Sequence, residues 1–259
     1  MMLSNKHTEV NGMISLSDFV RVAKAQSALD IGCHIEDFDM TVPVLVPIRE
    51  RRGQKRYFSS DDVLLTSYGN NVVGCVPEEV LPSVAELVSS EPFYRAFELP
   101  VIEKLNRIFA PFHLQCAFLA EMYLPDPARL KPLPCPYEIR VLDNHGIAPF
   151  YLPEWDNALT ASDPAKDKIG VGAFDNGKLI GLAACSADCE TMWQIGVDVL
   201  PEYRQRGIAS ALVSRLAPEI IKMGKVPFYS VAWSNLPSKR VALSCGFVPS
   251  WVELSAIPL

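Results

Sequence analysis

The sequence predicts an α/β chain of the α+β kind, in two parts that join near residue 130. Three stretches carry that reading. Gln194 to Leu200 is an apolar, β-branched run, a tight basic loop Pro201–Ala209 follows, and a long amphipathic segment begins near Gly207; this is strand, glycine-bearing loop, helix. Gly170 to Ser186 reads as a hairpin turned at Asn176-Gly177, a dipeptide that accepts the positive φ such turns need. Leu124 to Pro136 holds Pro125, Pro127, Pro132, Pro134 and Pro136, a density that forbids a regular element and marks a stiff linker. The expected division is therefore 1–130, an α+β domain of unknown role, and 131–259, a second domain.

The first half opens with a polar, loose segment over residues 1–13. Ser15 to Leu29 has helical spacing, with Leu16, Phe19, Val20 and Ala23 on one side and Ser15 or Ser17 as cap. Asp39 to Val46, beside Pro43 and Pro47, suits an edge strand or extended segment. The basic run Arg49–Arg56 is read as a solvated loop rather than a phosphate patch. Asp62 to Val76 reads as a hairpin turned at Gly69-Asn70-Asn71, Glu78 to Ser89 and Val101 to Phe109 as helices, and His113 to Tyr123 as a strand. No catalytic spacing appears in this half, and His113 is read as a strand or core histidine.

In the second half Tyr137 to Leu142 alternates polar and apolar residues, a first strand, and an aromatic, proline-rich segment, His145 to Asn157, follows. The helix after the basic loop carries Ile208, Leu212, Leu216 and Ile220 in one row. Pro218 inside it predicts a bend or an early end, and Gly224 a stop. Pro227 to Trp233 is a strand, Ser234 or Asn235 caps a short helix, Gly246 ends it, and Phe247 to Leu254 is the last strand.

The 259 residues are 49% hydrophobic and 21% charged, with net charge −6. That balance allows an ordinary core and argues against a nucleic-acid binder, which would carry a basic face. No apolar run approaches the roughly 20 residues of a membrane span, and the first residues lack an apolar signal-peptide core. The seven cysteines have no C-x-x-C spacing, so no metal site is expected, and reduced thiols in the cytoplasm are.

The loop after the central strand carries the chemistry. The first turn of a helix has amide donors with no internal acceptor, and its dipole adds partial positive charge. Gly207 has no Cβ to keep a phosphate away, Ala209 is nearly as small, and Arg204 and Arg206 add charge, so the loop reads as a pyrophosphate cradle. It lacks the Gly-Lys-Ser/Thr ending of the triphosphate loop and two of the three glycines of the dinucleotide fingerprint.

Arg204-Gln205-Arg206-Gly207-Ile208-Ala209 resembles the coenzyme-A loop of the GCN5-related N-acetyltransferase (GNAT) superfamily. The downstream order of strand, Asn235, Ser238, short helix, Gly246-Phe247 and strand is similar too, so that the resemblance spans about residues 137–255. It implies a mixed, mostly antiparallel central sheet flanked by helices, and transfer of an acetyl group from acetyl-CoA to an amine, on a small molecule or a protein. By the match, Val197 and Val199 would offer main-chain groups to the pantetheine arm where the central strand splays from its neighbour. Arg204, Gln205, Arg206, Gly207, Ile208 and Ala209 would hold the pyrophosphate, and Asn235 and Ser238 would touch the pantetheine or nucleotide side.

Two positions depart from the pattern. Ala242 stands where many members carry a tyrosine as acid, and Trp193 and Gln194 where many carry a glutamate as base. Glu190 is the candidate base, with Asn235 beside it as a catalytic candidate. Asp198 is expected to point to the other face. Phe150, Tyr151 and Trp155 with Glu154 and Asp156 could form a pocket for a cationic amine, and the N-terminal half could cover it or form a homodimer face. A non-catalytic acyl-CoA-binding regulatory module and a nucleotide-binding regulator stay open beside the enzyme.

Overall fold

The structure, a computed structural model, describes residues 14–49 and 63–259. The segment 1–13 and the basic run beyond Arg49 lie outside the described residues.

Helix α1 (Leu16–Ile31) begins at Ser15, whose hydroxyl accepts from Asp18 N while the Asp18 carboxylate accepts from Ser15 N, a reciprocal cap. Strand β1 (Val44–Pro47) is the short edge strand, and β2 (Val63–Ser67) and β3 (Val73–Val76) form the expected hairpin. Helices α2 (Leu81–Ser89) and α3 (Leu99–Phe109) pack their buried Val84, Val88, Val101 and Leu105 against it. Strand β4 (Leu114–Pro125) closes the first half.

The second half runs β5 (Glu138–Asp143), the short α4 (Asn144–Ile147), β6 (Asp167–Asp175), β7 (Lys178–Ser186), β8 (Met192–Val199), α5 (Ile208–Lys222), β9 (Val226–Ala232), α6 (Leu236–Ser244) and β10 (Phe247–Pro258). The β6–β7 turn is made at Asn176 and Gly177, both with positive φ, as Asn-Gly turns require. Helix α5 does not stop early. Pro218 lies inside it and the helix continues to Lys222. A proline removes only its own N–H bond, and Leu216, Ala217 and Ile220 on either side are fully buried. Burial of a Leu or Ile side chain contributes about 2 kcal/mol each, enough to hold the last turn.

Among the described residues the strands form one ten-stranded sheet in the order β1-β3-β2-β10-β4-β9-β8-β7-β6-β5. It is mixed and mostly antiparallel, since among the described strands only the β1–β3 and β8–β9 pairs run parallel. β4, from before the proline-rich stretch, pairs with β9 and β10, from after it. Ile208, Leu212, Leu216 and Ile220 of α5 pack on one face of the sheet with Val171, Ala183 and Ile195. On the other face α1 places Phe19 and Ala23 against Met192, Phe228 and Trp251. The segment before β6 packs Trp155, Ala158 and Leu159 against Leu182 and Ala184.

Candidate active site

Strands β8 and β9 form a fork. They pair in parallel only over Met192↔Val226, Trp193↔Pro227 and Gln194↔Phe228. Beyond that point β8 stays with β7 as far as Gly181↔Val199, and β9 stays with β4 through Tyr123↔Tyr229 to Ala120↔Ala232. The Leu200 N–H donates to Ile180 O at 3.0 Å. Antiparallel alternation then turns the main-chain groups of Val197 and Val199 away from β7, into the opening.

That opening is a cleft of about 970 Å³ on the α5–α6 side. Val197, Val199, Arg204, Gln205, Gly207, Ile208 and Ala209 line it, as do Asn235 and Ser238. The loop ends in two left-handed residues, Gln205 at φ 63 and Gly207 at φ 76, and Gly207 is the N-cap of α5 without a side-chain cap. The first intrahelical bond is Ala211 N to Gly207 O at 3.0 Å. The N–H groups of Ile208, Ala209 and Ser210 therefore face the cleft mouth with no acceptor inside the helix.

Arg204 and Arg206 divide the work. Arg204 lines the cleft, its Nε donating to Val199 O at 3.0 Å. Arg206 is not among the lining residues; its guanidinium donates to Tyr137 Oη at 2.7 Å and to Glu202 O at 3.1 Å, and lies over the Tyr203 ring. In this arrangement Arg206 braces the loop from behind. Asn235 is the N-cap of α6, its Oδ1 accepting from Ser238 N at 3.2 Å. Ser238 Oγ in turn donates to Tyr229 Oη. Ala242 is fully buried in the same cluster as Tyr229.

A second cleft, of about 760 Å³, opens on the opposite face. The 156–162 segment and Asp188 line one side, and Phe118 of β4 with Ser255 and Ile257 of β10 the other. Asn157, Gln194, Gly196 and Ser230 line both clefts, so the two meet at the fork. Asp198 points to this second face and holds the segment: its carboxylate accepts from Asn157 N at 2.9 Å, Asn157 Nδ2 at 2.8 Å and Ala158 N at 2.9 Å. Gly196 lets the segment approach, because a Cβ there would fall 1.7 Å from Asn157 O. An isolated glycine within a strand is a signal of close backbone approach, and it is the one sequence feature that points to this cleft.

Two expectations are corrected. Glu190 lies on an exposed turn at the closed end of the fork, its main-chain O accepting from Lys225 Nζ at 2.7 Å, and it lines neither cleft. The Ser186↔Gln194 pairing instead brings Asp188 to the second cleft. Asp188 is 7% exposed, accepts from Ser186 Oγ at 2.7 Å and lies 3.6 Å from Lys166 Nζ. The aromatic segment, in turn, is a wall rather than a pocket. Trp155 is buried against the sheet, Tyr151 donates to Asp167 at 3.0 Å, and of the five residues named only Asp156 lines the cleft.

The sequence model of the Acetyltransferase (GNAT) family matches residues 132–247. The C-terminal half thus carries a GNAT acetyltransferase domain, and the mixed, mostly antiparallel sheet flanked by helices is of that fold. No curated protein matches the chain. Many solved chains are similar to it. A GCN5-related N-acetyltransferase-like protein from Streptococcus suis is 15% identical, with 80% of this chain and 89% of that chain covered and a TM-score of 0.49. A GCN5-related N-acetyltransferase from Kribbella flavida is 13% identical, with 66% and 74% covered and a TM-score of 0.46. A GNAT-family acetyltransferase from Colwellia psychrerythraea is 15% identical, with 56% and 57% covered and a TM-score of 0.44.

Proposed function

We propose that the chain transfers an acetyl group from acetyl-CoA to an amine. The observation that carries the reading is the meeting of two clefts from opposite faces of the sheet at the fork, where both touch Asn157, Gln194, Gly196 and Ser230. The donor lies in the first cleft. Its pyrophosphate rests on the free N–H groups at Ile208, Ala209 and Ser210, which need no reorganisation to receive it. Its pantetheine arm pairs with the main chain of Val197 and Val199, and this places the thioester toward Tyr229 and Gln194. The acceptor enters by the second cleft.

An ammonium group of pKa about 10.4 must first lose its proton, here to water in the open cleft. The amine nitrogen then attacks the thioester carbonyl, a C–N bond forms, the C–S bond breaks, the thiolate leaves, and the extra proton on the nitrogen passes to water, from which Tyr229 regains the one it gives up. Tyr229, the first residue of β9 past the last pair, lines the donor cleft and is placed to give the thiolate a proton. This hydroxyl takes the part that Ala242 cannot. The amide product needs no further chemistry, so it leaves by the second cleft and coenzyme A by the first.

Release of free thiol from acetyl-CoA in the presence of an amine panel tests the reading. Turnover supports it, and tight binding of acetyl-CoA without turnover supports instead a non-catalytic acyl-CoA-binding module, which the alanine at 242 favours. Among the described residues, no helix is long and apolar enough to cross a membrane. A cytoplasmic setting remains part of the proposal, as does a homodimer.

A further inference from the structure

The second cleft has an uneven chemistry. Among the described residues its charged lining residues are Asp156 and Asp188, with no Lys, Arg or His. Asp188 is almost wholly buried. One oxygen is held by Ser186 at 2.7 Å, and the other has only a long contact to Lys166 at 3.6 Å. Across the cleft stand two apolar side chains that the fold leaves open, Phe118 of β4, 39% exposed, and Ile257 of β10, 40% exposed. They share a face because Phe118 pairs with Ser255, and Ile257 lies two residues on.

Resting on the acyl-transfer reading above, we infer that this cleft takes a small primary amine carried on an apolar body, with no carboxylate beside the amine. The Asp188 carboxylate attracts an ammonium group in a poorly solvated place, where charge pairing is stronger than in water. A carboxylate or phosphate on the acceptor meets two aspartates and, among the described residues, no lining cation, and that mismatch rejects it. The apolar body covers Phe118 and Ile257, which favours hydrocarbon over a bare polyamine. The first half of the chain thereby supplies one wall of the acceptor site through β4.

The test is ligand-observed magnetic resonance on the full chain with coenzyme A present. The probes are 2-phenylethylamine, L-phenylalanine, putrescine and a lysine-bearing peptide. The expected result is 2-phenylethylamine bound at least about tenfold more tightly than each of the others. Asp188→Asn should shrink its advantage over L-phenylalanine, and Phe118→Ser its advantage over putrescine, with coenzyme A affinity unchanged in both. Equal or tighter binding of L-phenylalanine, putrescine or the peptide overturns the inference, as does a preference that survives both substitutions. Coenzyme A affinity in the same samples separates the two readings. If it is present without the amine preference, only this inference falls; if it is absent, the acyl-transfer reading falls, whatever the amines do.

Discussion

Ser238 Oγ donates a hydrogen bond to Tyr229 Oη at 3.0 Å. The tyrosine oxygen is thereby the acceptor in that pair, and its own proton is not spent on Ser238. Burial raises the Tyr229 pKa, more than the Ser238 contact lowers it, so the hydroxyl keeps its proton to higher pH than a free tyrosine. Tyr229→Phe should lower kcat by about 10- to 100-fold with little change in KM for acetyl-CoA. The loss should shrink with an aryl thioester donor, whose thiolate leaves without a proton. In the unchanged protein kcat should fall as pH rises through the raised tyrosine pKa, and that limb should vanish in Tyr229→Phe. A deficit of equal size with both donors would assign Tyr229 a packing role only.

Gly207→Val should weaken acetyl-CoA binding by tenfold or more, about 1.4 kcal/mol, as read by calorimetry. No atom lies within 4 Å of a Cβ at this position, so packing is not disturbed. The cost to folding is the left-handed backbone, about 1–2 kcal/mol for a β-branched residue. Gly207→Asn, which tolerates that conformation, should lower Tm less and still reduce affinity.

Gly196→Ala should cost stability and acceptor binding together. The added methyl overlaps Asn157 O, so the 157–162 segment has to shift off the strand. Forced displacement of a packed segment costs about 1–3 kcal/mol. Thermal unfolding should show that loss, and amine KM should rise more than KM for acetyl-CoA.

Asp167 offers a pH test of the same segment. It accepts from Thr160 N at 2.7 Å and from Tyr151 Oη at 3.0 Å, while its other oxygen is buried without a hydrogen bond. Burial raises its pKa above 3.8, and the hydrogen bond from Thr160 only partly offsets this. The folded state therefore holds the proton longer than the unfolded chain. The favourable contribution is complete below 3.8 and is lost as pH rises to the raised folded value. Asp167→Asn, titrated by denaturant at several pH values, should flatten that part of the stability curve. A slope unchanged by the substitution would clear Asp167 of the effect.

The lining of the first cleft is legible in the sequence because its signals sit within a few consecutive residues. Gly207 before an apolar helical row marks a helix start, and Ser234-Asn235 before Leu236-Pro237 marks a cap; the helices begin there, with Gly207 and Asn235 as N-caps. The second cleft is legible only at Gly196, since Phe118, Asp188, Ser230 and Ser255 come from separate strands or turns and share no period. Glu190 and Asp188 are two residues apart and alike in chemistry, and only the Ser186↔Gln194 register decides which one reaches the cleft. Phe150, Tyr151 and Trp155 looked like a ligand pocket because aromatic residues suit both ligands and cores. The sheet surface at Leu182 and Ala184 claims them for the core, and that surface is formed by residues distant in the chain.

β4 lies clamped between β9 and β10, and this sets the timetable of folding. On the ribosome the strand emerges more than a hundred residues before both of its partners are complete, and pairings so distant close slowly. Until Phe247–Pro258 has left the tunnel, β4 has no lasting place to go and its bare edge can seek another chain. Late truncations should therefore be far more damaging in cells than their length suggests, leaving insoluble protein rather than a trimmed but working one.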